Sequence, residues 1–201
     1  MTKLLIGTGN VGKLREIKTI LGDVPNELIS LADLTDIETP EENGATYRAN
    51  AILKAQSYAR QTGLLTLADD SGLEVEALNW APGVLSARYA GDDASDADRR
   101  SLLLSELMTL ACETRTARFV CVVAIADSAA NVIKVCEGIC EGKLTELERG
   151  LGGFGYDPLF VPNGYDLTFA ELPDAVKNEI SHRGRALAKA REFLIGHKQK
   201  S

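Results

Sequence analysis

Histidine is scarce in this chain: only His182 and His197 occur among 201 residues. An imidazole-rich zinc site is thereby excluded, and any divalent cation has to be held by carboxylate oxygens, the donor set that suits magnesium. Cys112, Cys121, Cys136 and Cys140 show neither zinc-knuckle nor redox spacing, so reduced thiols are expected. No apolar run approaches the length of a membrane span, and the few apolar residues behind Met1-Thr2-Lys3 are too short for a signal peptide, which makes a cytoplasmic location the expectation. Positive charge is not in excess either. Twenty-two Lys and Arg face 29 Asp and Glu, a net charge of −7. That balance argues against a protein that grips a long nucleic acid by its backbone, and leaves room for a nucleotide monomer in a local cationic pocket.

What is present is a chain long enough for one domain with a substantial core, divided into two lobes, with an ordinary 45% hydrophobic content. Residues 4–6 read as a strand, followed by a helix from Lys13 in which Leu14, Ile17, Ile20 and Leu21 recur at helical spacing before Gly22. A second strand is expected over residues 27–31. A second helix is expected over residues 46–61, with Thr46 as N-cap and Gly63 just past its end. A short strand over residues 64–68 runs into Asp69-Asp70-Ser71-Gly72. Residues 92–110 read as helical, and 118–126 as a strand buried on both faces, paired with 132–141. A short helix opens at residues 173–179, and another closes the chain from Ser181 to Leu194. Strands and helices interleave without repeats, so the expected fold is α/β: a mixed central sheet flanked by helices, in two lobes with the active-site cleft between them.

Gly7-Thr8-Gly9-Asn10-Val11-Gly12-Lys13 follows the first strand and matches two nucleotide-binding patterns while completing neither. Gly7, Gly12 and Lys13 have the spacing of the Walker loop, but Leu14 stands where a magnesium-binding hydroxyl belongs. Gly7, Gly9 and Gly12 fit the dinucleotide fingerprint, with Asp33 at a suitable distance to meet a ribose. In either case the glycines are expected to take positive φ and to turn backbone N–H groups toward an anion.

Asp69 and Asp70 are expected at a strand end, with side chains on opposite faces, so that one meets solvent while its neighbour supports it. Two adjacent carboxylates are costly unless a cation or donors neutralise them. Glu38, Glu41 and Glu42 form an acidic cluster that offers a further oxygen ligand. Cationic groups stand at element ends: Lys13, Lys54, Arg88, Lys177 and Arg183. Asn50 and Lys54 share a helix face. Ser181-His182-Arg183-Gly184 places a ring and a guanidinium in a first helical turn, and Phe154-Gly155-Tyr156-Asp157 sets an aromatic face between glycines, suited to stacking on a base.

Taken in order, these segments resemble the inosine triphosphate pyrophosphatase family, the non-canonical purine NTP (dITP/XTP) pyrophosphatases. The resemblance extends from the first glycine loop through Asn50-Ala51-Ile52-Leu53-Lys54-Ala55, Ala68-Asp69-Asp70-Ser71-Gly72-Leu73, Ala81-Pro82-Gly83 and Ser86-Ala87-Arg88-Tyr89 to Gly152-Gly153-Phe154-Gly155-Tyr156-Asp157-Pro158 and Ser181-His182-Arg183-Gly184. It implies that Thr8, Gly9, Asn10, Val11, Gly12 and Lys13 bind the triphosphate together with Lys54 and Arg88. Asp70 would be the general base and a magnesium ligand. Ser71, Phe154, Gly155, Tyr156, Asp157, Lys177, His182 and Arg183 would bind nucleotide, and Glu41 is the choice for the second metal carboxylate among the three glutamates. A homodimer is implied as well. Trp80 departs from the small residue expected beside the Ala-Pro-Gly turn. The competing classes are a P-loop enzyme releasing the γ-phosphate, a dinucleotide-dependent oxidoreductase, and a non-catalytic nucleotide sensor.

Overall fold

The computed structural model describes residues 2–110 and 114–198, with the side chains of residues 197 and 198 outside that description. Six strands make one sheet: β1 (Thr2–Ile6), β2 (Asn26–Ser30), β3 (Leu65–Val75), β4 (Thr116–Ala126), β5 (Val132–Leu144) and β6 (Phe160–Pro162). Their order is β2-β1-β3-β4-β5-β6. β1 runs parallel to β2 and β3, and β5 antiparallel to β6, so the sheet is mixed and the fold α/β, as expected. The helices are α1 (Val11–Ile20), α2 (Tyr47–Thr62), α3 (Asp96–Thr109), α4 (Asp174–Ile180) and α5 (His182–Lys198). None of them is long and apolar enough to cross a membrane.

The chain divides into two compact units, one made of Met1–Asp70, Cys121–Gly138 and Arg183–Ser201, the other of Ser71–Val120 and Ile139–His182. In the first unit the period-two alternation of β1 sends Leu4 and Ile6 to one face and Leu5 to the other. Leu4 and Ile6 pack with Leu67, Cys121, Val123, Ile17, Leu21 and Leu187, while Leu5 meets Ile29 and Tyr58. Each such aliphatic side chain, fully withdrawn from water, contributes about 1.5–3 kcal/mol. The second unit has its own core around Leu73, Leu103, Phe119, Leu159, Phe160 and Phe169. There the Phe119 ring meets Phe160 edge-on at 4.8 Å and stacks on His182 at 4.5 Å.

Caps fix where the site-bearing helices begin. Thr46 accepts the Ala49 N–H at 3.1 Å, and Gly63 closes α2 in the left-handed conformation, φ 64°, as the sequence implies. α1 starts at Val11, two residues before the expected Lys13, because Asn10 accepts the Lys13 N–H at 2.9 Å. Asp33 receives Ser30 N–H at 2.8 Å and the Ser30 hydroxyl at 2.7 Å, so the residue expected to meet a ribose closes a local capping box.

The largest departure concerns β3. The strand does not stop before Asp69: it runs for 11 residues, and Asp69-Asp70-Ser71-Gly72 lie inside it. An Asp-Asp-Ser-Gly run reads as a turn on local chemistry alone. Tertiary cations, described below, neutralise the two carboxylates and let the strand continue. Cys121, Cys136 and Cys140 are buried and form no disulfide; Cys112 lies outside the described residues.

Candidate active site

The loop after β1 supports itself. Gly7 N–H donates to the Leu67 carbonyl at 2.7 Å, and the Thr8 hydroxyl accepts Asn10 N–H at 3.2 Å. Gly7, Gly9 and Gly12 are absent from the positive-φ glycines, contrary to the expectation that this loop needs left-handed backbone. Gly7 is required for a different reason: a Cβ there would stand 2.7 Å from Cδ2 of Tyr58. A Cβ on Gly9 would meet nothing within 4 Å, so the chain leaves space above that residue. Val11 is 80% exposed, and what it can offer a phosphate is its backbone.

Asp69 and Asp70 then project to opposite sides of β3. Asp69 Oδ2 lies 3.1 Å from Lys13 Nζ and 3.4 Å from Arg183 Nε, with the Cys121 thiol at 3.8 Å. Arg183 also pairs with Glu16, a buried acid one turn beyond Lys13 on α1. Burial alone would raise the Asp69 pKa, but Lys13, Arg183 and Lys54 outweigh it and hold the carboxyl well below the usual carboxylate range. Burial followed by the Asp69 charge pushes the Cys121 thiol far up, so it stays protonated.

Asp70 faces α2. Its Oδ2 accepts Asn50 Nδ2–H at 3.1 Å and its Oδ1 lies 3.6 Å from Lys54 Nζ, which realises the shared face expected for Asn50 and Lys54. Lys54 bridges onward to Glu42 at 2.8 Å. Burial raises the Asp70 pKa above its ordinary value; Lys54 and Lys13 oppose that rise and Glu42 adds to it. Burial disfavours the Lys54 charge, yet Asp70, Asp69 and Glu42 hold its pKa above the ordinary lysine value. Of the three glutamates, Glu42 reaches this cluster, Glu41 is exposed, and Glu38 is tied through its backbone to Gln61.

Within the second unit, Asp157 Oδ2 accepts Phe154 N–H at 2.8 Å and receives Lys177 Nζ, while that ammonium lies 4.8 Å from the centroid of the Phe154 ring. This oxygen of Asp157, a residue expected to bind nucleotide, organises the loop around Lys177. Gly153 sits at φ 70°, where a Cβ would fall 2.1 Å from the same oxygen. Gly155 N–H donates to Asp96 at 2.8 Å and its carbonyl accepts Arg100 at 2.8 Å. Tyr156, expected at the nucleotide, is a core residue whose hydroxyl donates to the Ser86 carbonyl at 3.0 Å. His182 is buried against Phe119, Ser71 is half-buried in β3, and Arg88 ends a short 3-10 helix, exposed. Trp80 carries the Arg118 guanidinium 4.4 Å above its ring.

The structure therefore brings together Lys13, Lys54 and Asp70 from the sequence expectations, adds Asp69, Glu42 and Asn50, and separately gathers Phe154, Asp157 and Lys177. Arg183, expected to bind nucleotide, has its guanidinium on Asp69 and Glu16. Glu16 was not anticipated; the signal was an acid inside the apolar stripe Leu14, Ile17, Ile20 and Leu21. Two carboxylates of unlike environment, Asp70 and Glu42, share one lysine. Both offer carboxylate oxygens, the donor type a hard divalent cation takes; burial first, and then the Glu42 charge, raises the Asp70 pKa, and among the described residues no three acidic, histidine or cysteine side chains gather into a metal site.

Residues 4–193 match the sequence model of the Ham1 family. The chain is 48% identical to the dITP/XTP pyrophosphatase of Geobacter sulfurreducens, over 96% of its own length and 97% of that protein. It is 46% identical to the enzyme of the same name from Haemophilus influenzae, over 92% and 95% of the two chains. Among solved structures, a HAM1 protein from Coxiella burnetii superposes with a TM-score of 0.89 at 40% identity, covering 98% of this chain and all of that one. A nucleoside-triphosphatase, dITP/XTP pyrophosphatase, from Mycobacterium abscessus superposes at 0.74 with 43% identity, covering 94% and 98%.

Proposed function

The chain belongs to the Ham1 family, and from that premise we propose that it hydrolyses non-canonical purine nucleoside triphosphates, the inosine, deoxyinosine and xanthosine forms, to the monophosphate and pyrophosphate. Such an activity removes deaminated purines from the nucleotide pool before they enter DNA or RNA. The observation that carries the reading is Asp70: a buried carboxylate held by Asn50 and Lys54, beside a lysine-bearing glycine loop, in a chain this similar to named dITP/XTP pyrophosphatases.

Phosphate binding falls to the loop of Thr8, Gly9, Asn10, Val11, Gly12 and Lys13, with Lys54 and Arg88. The open space above Gly9 lets a phosphate approach the backbone, and the start of α1 favours negative charge. Asp70 and Glu41 would hold magnesium, with Glu42 keeping Lys54 in place. Magnesium bound there supplies charge neutralisation on the phosphate oxygens. Asp70 orients a water toward the α-phosphorus and takes its proton, the role of a general base held within hydrogen-bond reach of the attacking water. Lys13 and Lys54 offset the charge that develops on the departing pyrophosphate.

Base reading falls to Phe154, Gly155, Asp157, Lys177 and His182, with Ser71 at the nucleotide, Tyr156 supporting the loop from the core and Arg183 acting on the Asp69 side. A donor meeting the 6-oxo group of hypoxanthine or xanthine rejects adenine, whose 6-amino group would face it donor to donor. Guanine must be excluded through the polarity of its 2-amino group, whose donors go unpaired where the 2-oxo group of xanthine can accept, since the two groups differ little in size. The family resemblance also suggests a homodimer, which sedimentation tests. The activity is tested by phosphorus NMR of the protein with magnesium and, separately, inosine, xanthosine, adenosine and guanosine triphosphates. Pyrophosphate from the first two, with the others largely intact, is expected; orthophosphate with diphosphate would point to γ-phosphate release instead.

A further inference from the structure

The geometry points to Asp69 as a positioning residue for this reaction: it holds the Lys13 ammonium at the glycine loop, and is neither a reserve base nor a metal ligand. The inference rests on the pyrophosphatase reading above and concerns how Lys13 is aimed.

Three observations carry it. The Asp69 side chain has no solvent exposure, whereas Lys13 retains 16%. A carboxylate sealed in this way cannot take a proton from water in the site, but it can anchor a lysine that keeps part of its own surface exposed. Second, an ammonium has three N–H donors. One directed at Asp69 Oδ2, 3.1 Å away, leaves two for phosphate oxygens, so Lys13 can serve the ligand without leaving its anchor. The anchor also removes rotamer freedom from a four-carbon stem before the ligand arrives, the usual gain of preorganisation. Third, the anchor is itself fixed. Arg183 at the start of α5 binds Asp69 and also Glu16, and Glu16 stands three residues after Lys13 on α1. Lys13, Asp69, Arg183 and Glu16 thus form a ring of alternating charge that leaves α1 at Lys13, crosses β3 and α5, and returns to α1. The helix that carries the phosphate loop is docked by the same charges that aim its lysine.

The test is a double-mutant cycle on the full chain with Asp69→Asn, Lys13→Ala and the double variant, reading kcat/KM for deoxyinosine triphosphate and the affinity for inorganic pyrophosphate. If Asp69 acts through Lys13, Asp69→Asn lowers kcat/KM by about 10- to 100-fold in the wild-type background and by less than about threefold when Lys13 is already alanine. The magnesium half-saturation of Asp69→Asn stays at the wild-type value. Additive losses, or a shift in magnesium half-saturation, overturn the inference. A second measurement keeps it decidable if Asp69→Asn does not fold: nitrogen-15 NMR of lysine ammonium groups in the wild-type protein. One slowly exchanging resonance, absent from Lys13→Arg, is expected without nucleotide and should shift on adding pyrophosphate. A Lys13 ammonium in fast exchange with water overturns the contact itself. Failure of the wild-type chain to release pyrophosphate would instead count against the functional reading, leaving the ammonium measurement to judge the anchor.

Discussion

Asp69 and Asp70 are neighbours in sequence and opposites in environment: the first is held between Lys13 and Arg183 on one side of β3, the second between Asn50 and Lys54 on the other. Strand alternation makes that separation automatic, since successive side chains of an extended chain leave by opposite faces. The two pKa values consequently move in opposite directions, Asp69 down and Asp70 up. Under the proposed function, two adjacent acids displaced in this way would take different roles, one a fixed counter-charge and the other a group that exchanges a proton.

Asp70→Asn should lower turnover by at least about 10²-fold while nucleotide still binds. The same change should raise thermal stability at neutral pH, because burial disfavours the charged carboxylate in the folded state. A carboxyl whose folded pKa is raised carries its penalty above that pKa and none below the ordinary value, so the stability gain should vanish as the pH falls below about 4. Thermal denaturation of both proteins across pH, beside a turnover assay, checks each half.

Asp69→Asn should destabilise the fold by about 3–5 kcal/mol, since it leaves Lys13 and the buried Arg183 short of their shared counter-charge. Here the folded pKa is depressed. The stabilisation is therefore fully present above the ordinary value of about 4 and is lost as the pH falls through the lower folded value. Urea titrations should show an undiminished gap between wild type and variant from neutral pH down to about 5, closing only in stronger acid.

The two glycines flanking Thr8 should respond in opposite ways. Gly7→Ala drives a methyl into Tyr58 and should cost about 1–3 kcal/mol of stability. Gly9→Ala meets open space at an ordinary φ, so stability should hold while the apparent affinity for triphosphate falls about tenfold or more, as expected if a phosphate occupies that space. Chemical denaturation and KM measured on the same preparations separate the two effects.

The glutamates divide similarly. Glu41→Gln should raise the magnesium needed for half-maximal turnover, on the order of tenfold, with little change in stability. Glu42→Gln removes the negative charge 2.8 Å from Lys54 and should instead weaken triphosphate binding at saturating magnesium. A magnesium shift confined to Glu42→Gln would move the ligand assignment to that residue.

Local chemistry made much of the fold legible. Thr46 and Gly63 delimit α2 because an N-cap hydroxyl and a left-handed glycine act within one turn of their own helix, and the order of the motifs announced the mixed sheet and the family. The interior of β3 was not legible, since Asp69 and Asp70 become tolerable in a strand only when Lys13, Arg183, Asn50 and Lys54 arrive from other elements. For the same reason the burial of Tyr156 and Arg183 is not visible in their own motifs. Both are polar residues in glycine-rich or helix-start motifs, and what buries them, the Ser86 carbonyl in one case and Asp69 with Glu16 in the other, lies far off in sequence.

Where the solvent oxygen goes is the most direct measure of the chemistry. With deoxyinosine triphosphate and magnesium in oxygen-18 water, attack of an Asp70-oriented water on the α-phosphorus places the label on the monophosphate and leaves pyrophosphate unlabelled, which phosphorus NMR reads as an isotope shift on the monophosphate resonance alone. Label in pyrophosphate or orthophosphate would contradict that attack and remove Asp70 from the role given to it.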